Sequence, residues 1–567
     1  MTSAYSKLVS TILLILFFTS HFQLQAETKR PVRAKNGMVV SPSEIATDIG
    51  VEILKNGGNA IDASVAVGFA LSVCYPSAGN IGGGGFMVIH LSDGKSTTID
   101  FRERAPLSVN KDIYLDEEGN YDHELSTKGW TSVGVPGTVA GLIYVLEKYG
   151  TMRLSDLTTP AIKLAENGFE AGYDLANHIN IFNKDFNEYE SSREIFTDNG
   201  DSLKENHFLV QKDLANTLRL IKENGINGFY KGYIADLIVK NSFDNGGYIT
   251  YKDLEEYKPI ERNPVTGNYK GYEIVSMPPP SSGGIALIQS LNILENFEFS
   301  KNSWGSSDYI HKVVESLKRV YADRSKHLGD PDFYDVPVEW LTSKEYAKNI
   351  FSNIKNVATP SDSIMPGIPV IYESKETTHY SIVDRFGNAV STTVTLNSSY
   401  GNKIVLQGAG FLLNNEMDDF NAKPGEPNQY GLLGGEANSI QPGKRMLSSM
   451  TPTIVLKDDN PFIIAGSPGG SQIITSVLQV ILNCIDFGMD IQKAIDMPRF
   501  HHQWFPEEII FEEFGTAHDV KSNLILKGHK IGGIGRIGRV QGILIDNEKN
   551  IIFGGTDSRG FGKAAGY

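Results

Sequence analysis

The sequence of 567 residues has only two cysteines, Cys74 and Cys484, which excludes a disulfide-stapled scaffold. Both lie in apolar surroundings, which favours two buried free thiols; a bridge between them in an oxidising compartment is the alternative. Basic residues are a minority, because 52 Lys and Arg face 67 Asp and Glu and give a formal net charge of −15. The chain also has no basic run, so its composition disfavours nucleic-acid binding, which depends on positive surface.

A run of about 18 apolar residues, the length that crosses a bilayer, is missing as well. The longest N-terminal apolar stretch, Leu8 to Phe18, follows Lys7 and precedes polar residues that end in Leu24-Gln25-Ala26. This order predicts a secretory signal peptide at residues 1–26, with an uncleaved membrane anchor as the alternative. We therefore expect a soluble mature chain without a stable membrane span, in the periplasm of a Gram-negative cell or alternatively secreted.

What the sequence does contain is a mixture of long helices and strands, which is typical of layered α+β or α/β proteins. A nearly all-apolar helix is predicted from about Ala60 to Cys74, and an amphipathic helix covers residues 310–321. Between residues 357 and 376, several prolines and a charged run break the periodic pattern. That segment is predicted to be an exposed loop.

A hairpin is predicted directly after this loop. Two strand-like runs flank the segment Asp384 to Asn388, and a turn centred on Phe386 would place Thr377 opposite Thr395, within one residue. A threonine that cleavage makes N-terminal can use its own α-amine as the base that activates its hydroxyl. Taken alone, the pattern fits ordinary strand threonines better, because threonine is common in strands for steric reasons.

Other segments supply groups that could bind an oxyanion or a zwitterion. Gly466 to Ser471 lies between a predicted strand and a predicted helix, where glycine amides can donate hydrogen bonds to an oxyanion. An arginine and hydroxyl groups suit a carboxylate, and acidic side chains suit an ammonium. Each segment alone would be interpreted as a turn or as solvated surface. The glycine run Gly82 to Gly85 is predicted to allow close packing near such a site.

Several long motifs occur in one order along the chain, and their combination is specific. They are Phe101-Arg102-Glu103, Pro278 to Gly284, Thr377-Thr378-His379-Tyr380-Ser381, Thr395-Leu396-Asn397, Leu413 to Phe420, Leu447-Ser448-Ser449-Met450, Gly466 to Ser471 and Pro498 to Trp504. This set resembles the γ-glutamyltransferase (γ-glutamyltranspeptidase) family. The resemblance covers nearly all of the chain after the predicted signal peptide.

The resemblance implies a fold of the N-terminal-nucleophile hydrolase type, an α+β four-layer αββα sandwich. It also implies that the chain cleaves itself between Glu376 and Thr377. The products would be a large subunit of residues 27–376 and a small subunit of residues 377–567, which stay together as one interwoven heterodimer.

Roles for single residues follow from the resemblance, position by position. Thr377 is similar to the family's nucleophile, Thr395 to its supporting hydroxyl, and Gly469 and Gly470 to its oxyanion hole. The α-carboxylate site would comprise Arg102, Ser448 and Ser449, and the α-amino site Asn397, Glu416 and Asp419. Tyr430 resembles the residue that covers the pocket in family members with a lid.

The implied function is a γ-glutamyltransferase and hydrolase acting on glutathione and other γ-glutamyl compounds. Water, amino acids or dipeptides would accept the acyl group, and neither a metal nor an organic cofactor is expected. A glutaryl-β-lactam-type acylase on the same fold is the alternative, which the ammonium-binding set disfavours because a glutaryl group has no ammonium. A noncatalytic binding protein is a third possibility, disfavoured because Thr377, Thr395 and both glycines are intact.

Overall fold

The structure is a computed structural model that describes residues 29–365, 377–423 and 435–567. Residues Pro31–Tyr567 make one compact unit. The predicted signal peptide, Glu376 of the predicted cleavage site and Tyr430 of the predicted lid lie outside the described residues.

Two seven-stranded sheets form the centre of the compact unit. The strands of the described ranges are β1 Val32–Ala34, β2 Met38–Ser41, β3 Gly84–His90, β4 Ser96–Phe101, β5 Phe169–Ala171, β6 His207–Leu209, β7 Ile260–Arg262, β8 Val265–Tyr269, β9 Tyr272–Ser276, β10 Thr378–Val383, β11 Ala389–Thr395, β12 Thr453–Lys457, β13 Asn460–Gly466, β14 Phe500–His501, β15 Ile509–Phe511, β16 Ile531–Ile534, β17 Gln541–Asp546, β18 Ile551–Thr556 and β19 Lys563–Gly566.

The α-helices surround these sheets. In chain order they are α1 Glu44–Lys55, α2 Ala60–Cys74, α3 His123–Thr127, α4 Thr138–Tyr149, α5 Leu154–Asn167, α6 Tyr173–Ile181, α7 Asn183–Asn187, α8 Glu190–Phe196, α9 Lys212–Asn224, α10 Asn227–Tyr230, α11 Gly232–Asp244, α12 Tyr251–Glu256, α13 Gly283–Leu294, α14 Ser307–His327, α15 Val338–Leu341, α16 Lys344–Ser352, α17 Gln472–Ile485, α18 Ile491–Asp496 and α19 His518–Leu526. Within the part of the chain described here, none of them combines the length and the apolar character that a membrane crossing needs.

The layers follow the predicted αββα order. Sheet I runs β1-β18-β17-β13-β12-β9-β8 and sheet II runs β19-β2-β10-β11-β3-β4-β7, with antiparallel neighbours throughout. The two sheets pack on each other through β10 and β11 of sheet II and β13 and β17 of sheet I. Helix α2 covers sheet II, and α13 and α17 cover sheet I. The predicted sandwich is therefore confirmed.

Helix α2 is buried along its whole length, as its apolar composition predicts. It begins at a capping box in which the side chains of Asn59 and Asp62 each accept a hydrogen bond from the other residue's backbone amide. Cys74 ends this helix and Cys484 lies near the end of α17; both are free and buried, so the predicted free thiols are confirmed and a bridge between them is excluded. Burial raises the pKa of the Cys74 thiol to about 11.

The predicted hairpin is present as β10 and β11. Thr378 pairs with Val394, so Thr377 occupies the next position, opposite Thr395. The Asp384 carboxylate stabilises the turn, because it accepts hydrogen bonds from two backbone amides at 2.8 and 3.0 Å. Gly387 has a φ of 93°, a left-handed conformation that glycine adopts without steric cost.

The glycine run Gly82 to Gly85, which leads into β3, allows this hairpin to approach β3 closely. A Cβ atom at Gly83 would lie 2.1 Å from the carbonyl oxygen of Thr395, and one at Gly85 would lie 2.3 Å from that of Thr393. Real Cβ atoms do not approach so closely, so side chains here would push β11 away. The amide of Asn80 then donates to the Thr395 carbonyl at 2.8 Å. The predicted close packing near the site is confirmed.

Candidate active site

Thr377 and Thr395 lie opposite each other at the ends of β10 and β11, two central strands of sheet II, and both line one pocket. They are 5% and 3% exposed, respectively. The Thr395 hydroxyl oxygen accepts a hydrogen bond from the Asn397 backbone amide at 2.8 Å. In this contact the hydroxyl acts only as an acceptor. Its proton can therefore be donated toward Thr377.

The structure brings most of the predicted site residues together around this pocket. Those that line it are Arg102, Thr377, Thr395, Asn397, Glu416, Asp419, Ser448, Ser449 and Gly470. Gly469 precedes Gly470 but does not line the pocket. The space that the centres of water molecules can occupy is about 30 Å³, which is room for a few water molecules.

Gly469 and Gly470 form the turn between β13 and α17, with φ values of 133° and 54°. The Gly469 carbonyl accepts a hydrogen bond from the Gln472 amide at 3.0 Å, at the start of the helix. Because a trans peptide points its C=O and N–H in opposite directions, the Gly470 N–H points away from this helix. Together with the pocket-lining position of Gly470, this orientation suits a donor to an oxyanion.

Arg102 is the centre of the charged part of the pocket. It follows β4, is fully buried, and its two terminal nitrogens donate to the carboxylates of Glu416 and Asp419. Its Nε donates to the Met446 carbonyl at 3.3 Å. Both acids lie on one short 3₁₀ turn, Glu416–Asp419, so a single guanidinium can meet both of them.

These contacts shift the protonation equilibria of the cluster. Burial alone would lower the pKa of Arg102, but the neighbouring acids, Glu416 first, raise it above its ordinary value. Burial raises the pKa of Glu416 well above its ordinary value and also raises that of Asp419, although Arg102 opposes both shifts. Arg102 therefore stays protonated in this desolvated pocket, whereas the carboxyl groups of Glu416 and Asp419 are shifted toward their protonated, neutral forms.

The two predicted halves of a zwitterion site are in direct contact with each other. Arg102, expected to bind a carboxylate, is paired with Glu416 and Asp419, expected to bind an ammonium. A bound zwitterion would have to exchange these pairs, because its carboxylate would pair with the guanidinium and its ammonium with the acids.

The two adjacent serines, Ser448 and Ser449, also line this pocket. The Ser448 hydroxyl accepts from the Met450 amide at 3.1 Å, and its carbonyl accepts from both the amide and the hydroxyl of Ser282 at 2.7 Å. The Ser449 hydroxyl accepts from Arg324 at 3.1 Å. These contacts leave each serine proton available to a ligand in the pocket.

The sequence profile of the gamma-glutamyltranspeptidase family matches residues 46–567. The chain belongs to this family. It is 49% identical to the glutathione hydrolase proenzyme of Escherichia coli K12 over 540 residues, which cover 95% of this chain and 93% of that one. It is 39% identical to the proenzyme of the same name from Bacillus subtilis 168, over 100% of this chain and 99% of that one.

Solved structures agree with this membership. The cephalosporin acylase of Bacillus halodurans superposes with a TM-score of 0.86 at 29% identity, over 96% of this chain and 98% of that one. The γ-glutamyltranspeptidase of Helicobacter pylori has a TM-score of 0.57 at 47% identity, over 62% of this chain and 99% of that chain. The predicted family, enzyme class and N-terminal-nucleophile fold of this γ-glutamyltranspeptidase are confirmed, whereas the roles of single residues stay predictions.

Two charged residues of this γ-glutamyltranspeptidase pocket received no role from the sequence. Arg324 on α14 lines the pocket, and it donates to the hydroxyls of Ser282 and Ser449. It continues the buried stripe of this helix that contains Leu317 and Val320. A charged residue on a buried helical face is the signal that could have identified it.

The other is Glu103, which directly follows Arg102 and is fully buried behind it. Its Oε2 atom lies 3.4 Å from the Arg102 guanidinium. Among the residues that the structure describes, no group of three His, Cys, Asp or Glu side chains is arranged to hold a metal ion.

Proposed function

We propose that this γ-glutamyltranspeptidase is an exported, self-processing enzyme that removes the γ-glutamyl group from glutathione and related amides. The group is passed to water, an amino acid or a dipeptide. The observation that carries the proposal is the placement of Thr377 at a pocket that also contains the Gly470 turn and the cluster of Arg102, Glu416 and Asp419. This pocket combines a nucleophile, an oxyanion donor and charges of both signs.

Self-processing is proposed to cut the chain between Glu376 and Thr377, giving subunits of residues 27–376 and 377–567. The cut converts the Thr377 backbone nitrogen from an amide, which is no base, to an amine. The amine and the hydroxyl belong to the same residue, so the amine serves as the general base and no histidine is needed. The predicted cut and the predicted catalysis therefore need the same residue.

In the proposed reaction, the Thr377 hydroxyl oxygen attacks the γ-carbonyl carbon of the donor while its proton passes to the Thr377 amine. The Gly470 N–H, with Gly469 beside it, stabilises the oxyanion. The C–N bond then breaks, the leaving nitrogen takes the proton, and a γ-glutamyl ester remains on Thr377. Attack by water or an amine on this ester reverses the proton path and frees the enzyme.

Recognition of the donor is proposed to use the charged cluster. The α-carboxylate would take Arg102 and the hydroxyls of Ser448 and Ser449, and the α-ammonium would take Glu416 and Asp419, beside Asn397. Two charged ends bound a few ångströms from the scissile amide position it against Thr377. Remote binding energy used for orientation raises the rate of the chemical step.

A glutaryl-type acylase is the second candidate, because the cephalosporin acylase of Bacillus halodurans shares the whole fold. A glutaryl group would satisfy Arg102 but bring no ammonium to Glu416 and Asp419. The displaced acids would then be left buried without a cation, which is unfavourable. The charged cluster therefore supports a γ-glutamyl donor over a glutaryl one.

The test compares wild-type protein with the variants Thr377→Ala and Thr377→Ser, with Thr266→Ala on the exposed part of β8 as matched control. We expect two bands on a denaturing gel for wild type, control and serine variant, and one band for the alanine variant. Hydrolysis of a γ-glutamyl anilide and of its glutaryl analogue is then measured. Cleavage or activity in Thr377→Ala would refute the nucleophile, and equal use of both anilides would favour the acylase.

Export to the periplasm is a separate proposal that rests on the N-terminal motif of residues 1–26. Fractionation of a Gram-negative host that expresses the full chain tests it. We expect the processed protein in the osmotic-shock fraction, shortened at its N-terminus. Retention of the full-length N-terminus in the cytoplasmic fraction would contradict the proposal.

A further inference from the structure

One guanidinium in the pocket faces three carboxyl groups, those of Glu103, Glu416 and Asp419. Glu103 and Glu416 share the Nη1 atom of Arg102, and Asp419 contacts Nη2. Glu103 is 0% exposed and Glu416 is 1% exposed, whereas the Asp419 side chain retains 13%. The two glutamates are therefore the pair that is fully cut off from water.

The charges of this cluster do not balance when every acid is ionised. Arg324 is the second cation of the pocket, and its charge acts on Asp419. Two cations then face three anions, in a space that holds only a few water molecules. An uncompensated buried carboxylate is costly, and the usual outcome is that one group takes up a proton.

The surroundings of the three carboxyl groups indicate which of them hold that proton. Glu416 lies in hydrogen-bonding contact with both Glu103 and Asp419. Asp419 has the cations Arg102 and Arg324 beside it, whereas Glu103 Oε1 and Glu416 Oε2 are buried without an N–H or O–H donor among the described residues. Ionised carboxylates are acceptors only, so contact between the two glutamates is favourable only if one of them carries a proton and donates it to the other.

We propose that Glu103 and Glu416 share one proton in the unoccupied pocket, and that the α-ammonium of the donor displaces it on binding. At the two glutamates one positive charge leaves as another arrives, while the α-carboxylate of the donor pairs with the Arg102 guanidinium that these acids release. Glu103 is thus a positioning residue that acts through Glu416. The displacement part of this inference rests on the proposed function, whereas the shared proton does not.

The electrostatic surroundings agree with a shared proton. Burial raises the pKa of Glu103 to about 7, against the lowering effect of Arg102, and it raises the pKa of Glu416 well above its ordinary value. The other ionisable groups around the pair are Asp419, which raises both values, and the phenols of Tyr230 and Tyr257, which stay neutral because burial raises their pKa values. The proton belongs to the pair rather than to either residue.

The exchange has a consequence for substrate choice. A ligand with an ammonium must compete with the proton, so its binding strengthens as the pH rises through the titration of the pair, by at most about tenfold per pH unit. A glutaryl ligand brings no ammonium and leaves the proton in place. Its binding is expected to lack this dependence.

The first experiment examines the self-cleaved enzyme without substrate. Difference infrared spectra across the range that brackets pH 7 report the C=O stretch of a protonated carboxyl. Asp323, whose pKa burial raises to about 6, contributes one such band to every protein. We expect a further titrating component in wild type and in the control Glu124→Gln, an exposed acid on α3, and its loss in Glu103→Gln and in Glu416→Gln. In each variant an amide N–H replaces the shared proton. Spectra of both variants that equal the wild-type spectrum overturn the shared proton.

The second experiment measures KM of a γ-glutamyl anilide against pH for wild type and Glu103→Gln. The donor and the Thr377 amine titrate in the same way with both proteins. The ratio of the KM values of the two proteins therefore isolates the titration of the Glu103–Glu416 pair. We expect this ratio to change by several fold across the range and the variant to keep its fold. A constant ratio means that Glu103 is merely structural and overturns the exchange. An infrared band together with no turnover of any γ-glutamyl anilide would refute the proposed function and leave the shared proton standing.

Discussion

Replacing Arg102 by lysine is expected to weaken use of a γ-glutamyl donor strongly while leaving self-cleavage intact. The guanidinium meets Glu416 and Asp419 with separate nitrogens and the Met446 carbonyl with a third. An ammonium is a point charge that cannot span these partners. Loss of one charged hydrogen bond, with a buried carboxylate left poorly compensated, costs about 2–4 kcal/mol. This corresponds to a fall of roughly 30- to 1000-fold in kcat/KM at about 1.4 kcal/mol per decade.

Steady-state hydrolysis of a γ-glutamyl anilide by the purified, self-cleaved variant provides the measurement. Arg153→Lys is the matched control, because Arg153 forms an exposed ion pair with Asp156, 82% and 38% exposed, outside the pocket. Its kcat/KM should equal that of wild type, since exposed ion pairs contribute little. Thermal unfolding of both proteins reports whether lost activity reflects lost folding. A folded, cleaved Arg102→Lys enzyme whose kcat/KM stays within about threefold of wild type would refute the assignment of the pocket.

Three further outcomes are expected. Arg324→Lys can keep only one of its two serine contacts, so KM for the donor should rise about tenfold in steady-state assays, with self-cleavage on a gel unchanged. Tyr430→Ala, at the predicted lid, should change the ratio of transfer to hydrolysis measured with a dipeptide acceptor. In the folded chain, burial lowers the pKa of His379 to about 3 and that of His529 to about 4. As the pH falls below 6.5, these histidines therefore bind protons in the unfolded chain before they do so in the folded chain. The melting temperature should therefore fall from pH 6.5 downward, and a flat profile would contradict this.

Much of the local structure could be predicted because it depends on neighbouring residues. The turn Asp384 to Asn388 sets the hairpin register by itself, which is why the position of Thr377 opposite Thr395 follows from the sequence. The buried helix Ala60–Cys74 follows from its composition in the same way. The four-layer order came from the family resemblance, since strand order within a sheet is not encoded in any single segment.

The arrangement of the charged pocket could not be predicted, because it depends on contacts between distant segments. Arg102 and Glu416 are 314 residues apart, and their motifs indicate opposite ligands rather than a pair. Only the folded chain shows that they touch and that Glu103 stands behind them with a buried oxygen without a donor. The sequence identifies the chemical groups, and packing decides their protonation.

The strand order also explains why a cut before Thr377 would activate the site without dividing the molecule. In sheet II, β2 lies between β19 and β10, and β3 pairs with β11; in sheet I, β1 pairs with β18 and β9 with β12. Each of these pairings joins a strand from before the cut to one from after it, so the ladders of both sheets hold the two pieces together. The pocket is divided in the same way, since Arg102 and Arg324 precede the cut and every acid that Arg102 meets except Glu103 follows it. Cleavage would therefore free the Thr377 amine and the α-carboxylate of Glu376, and leave the binding site complete.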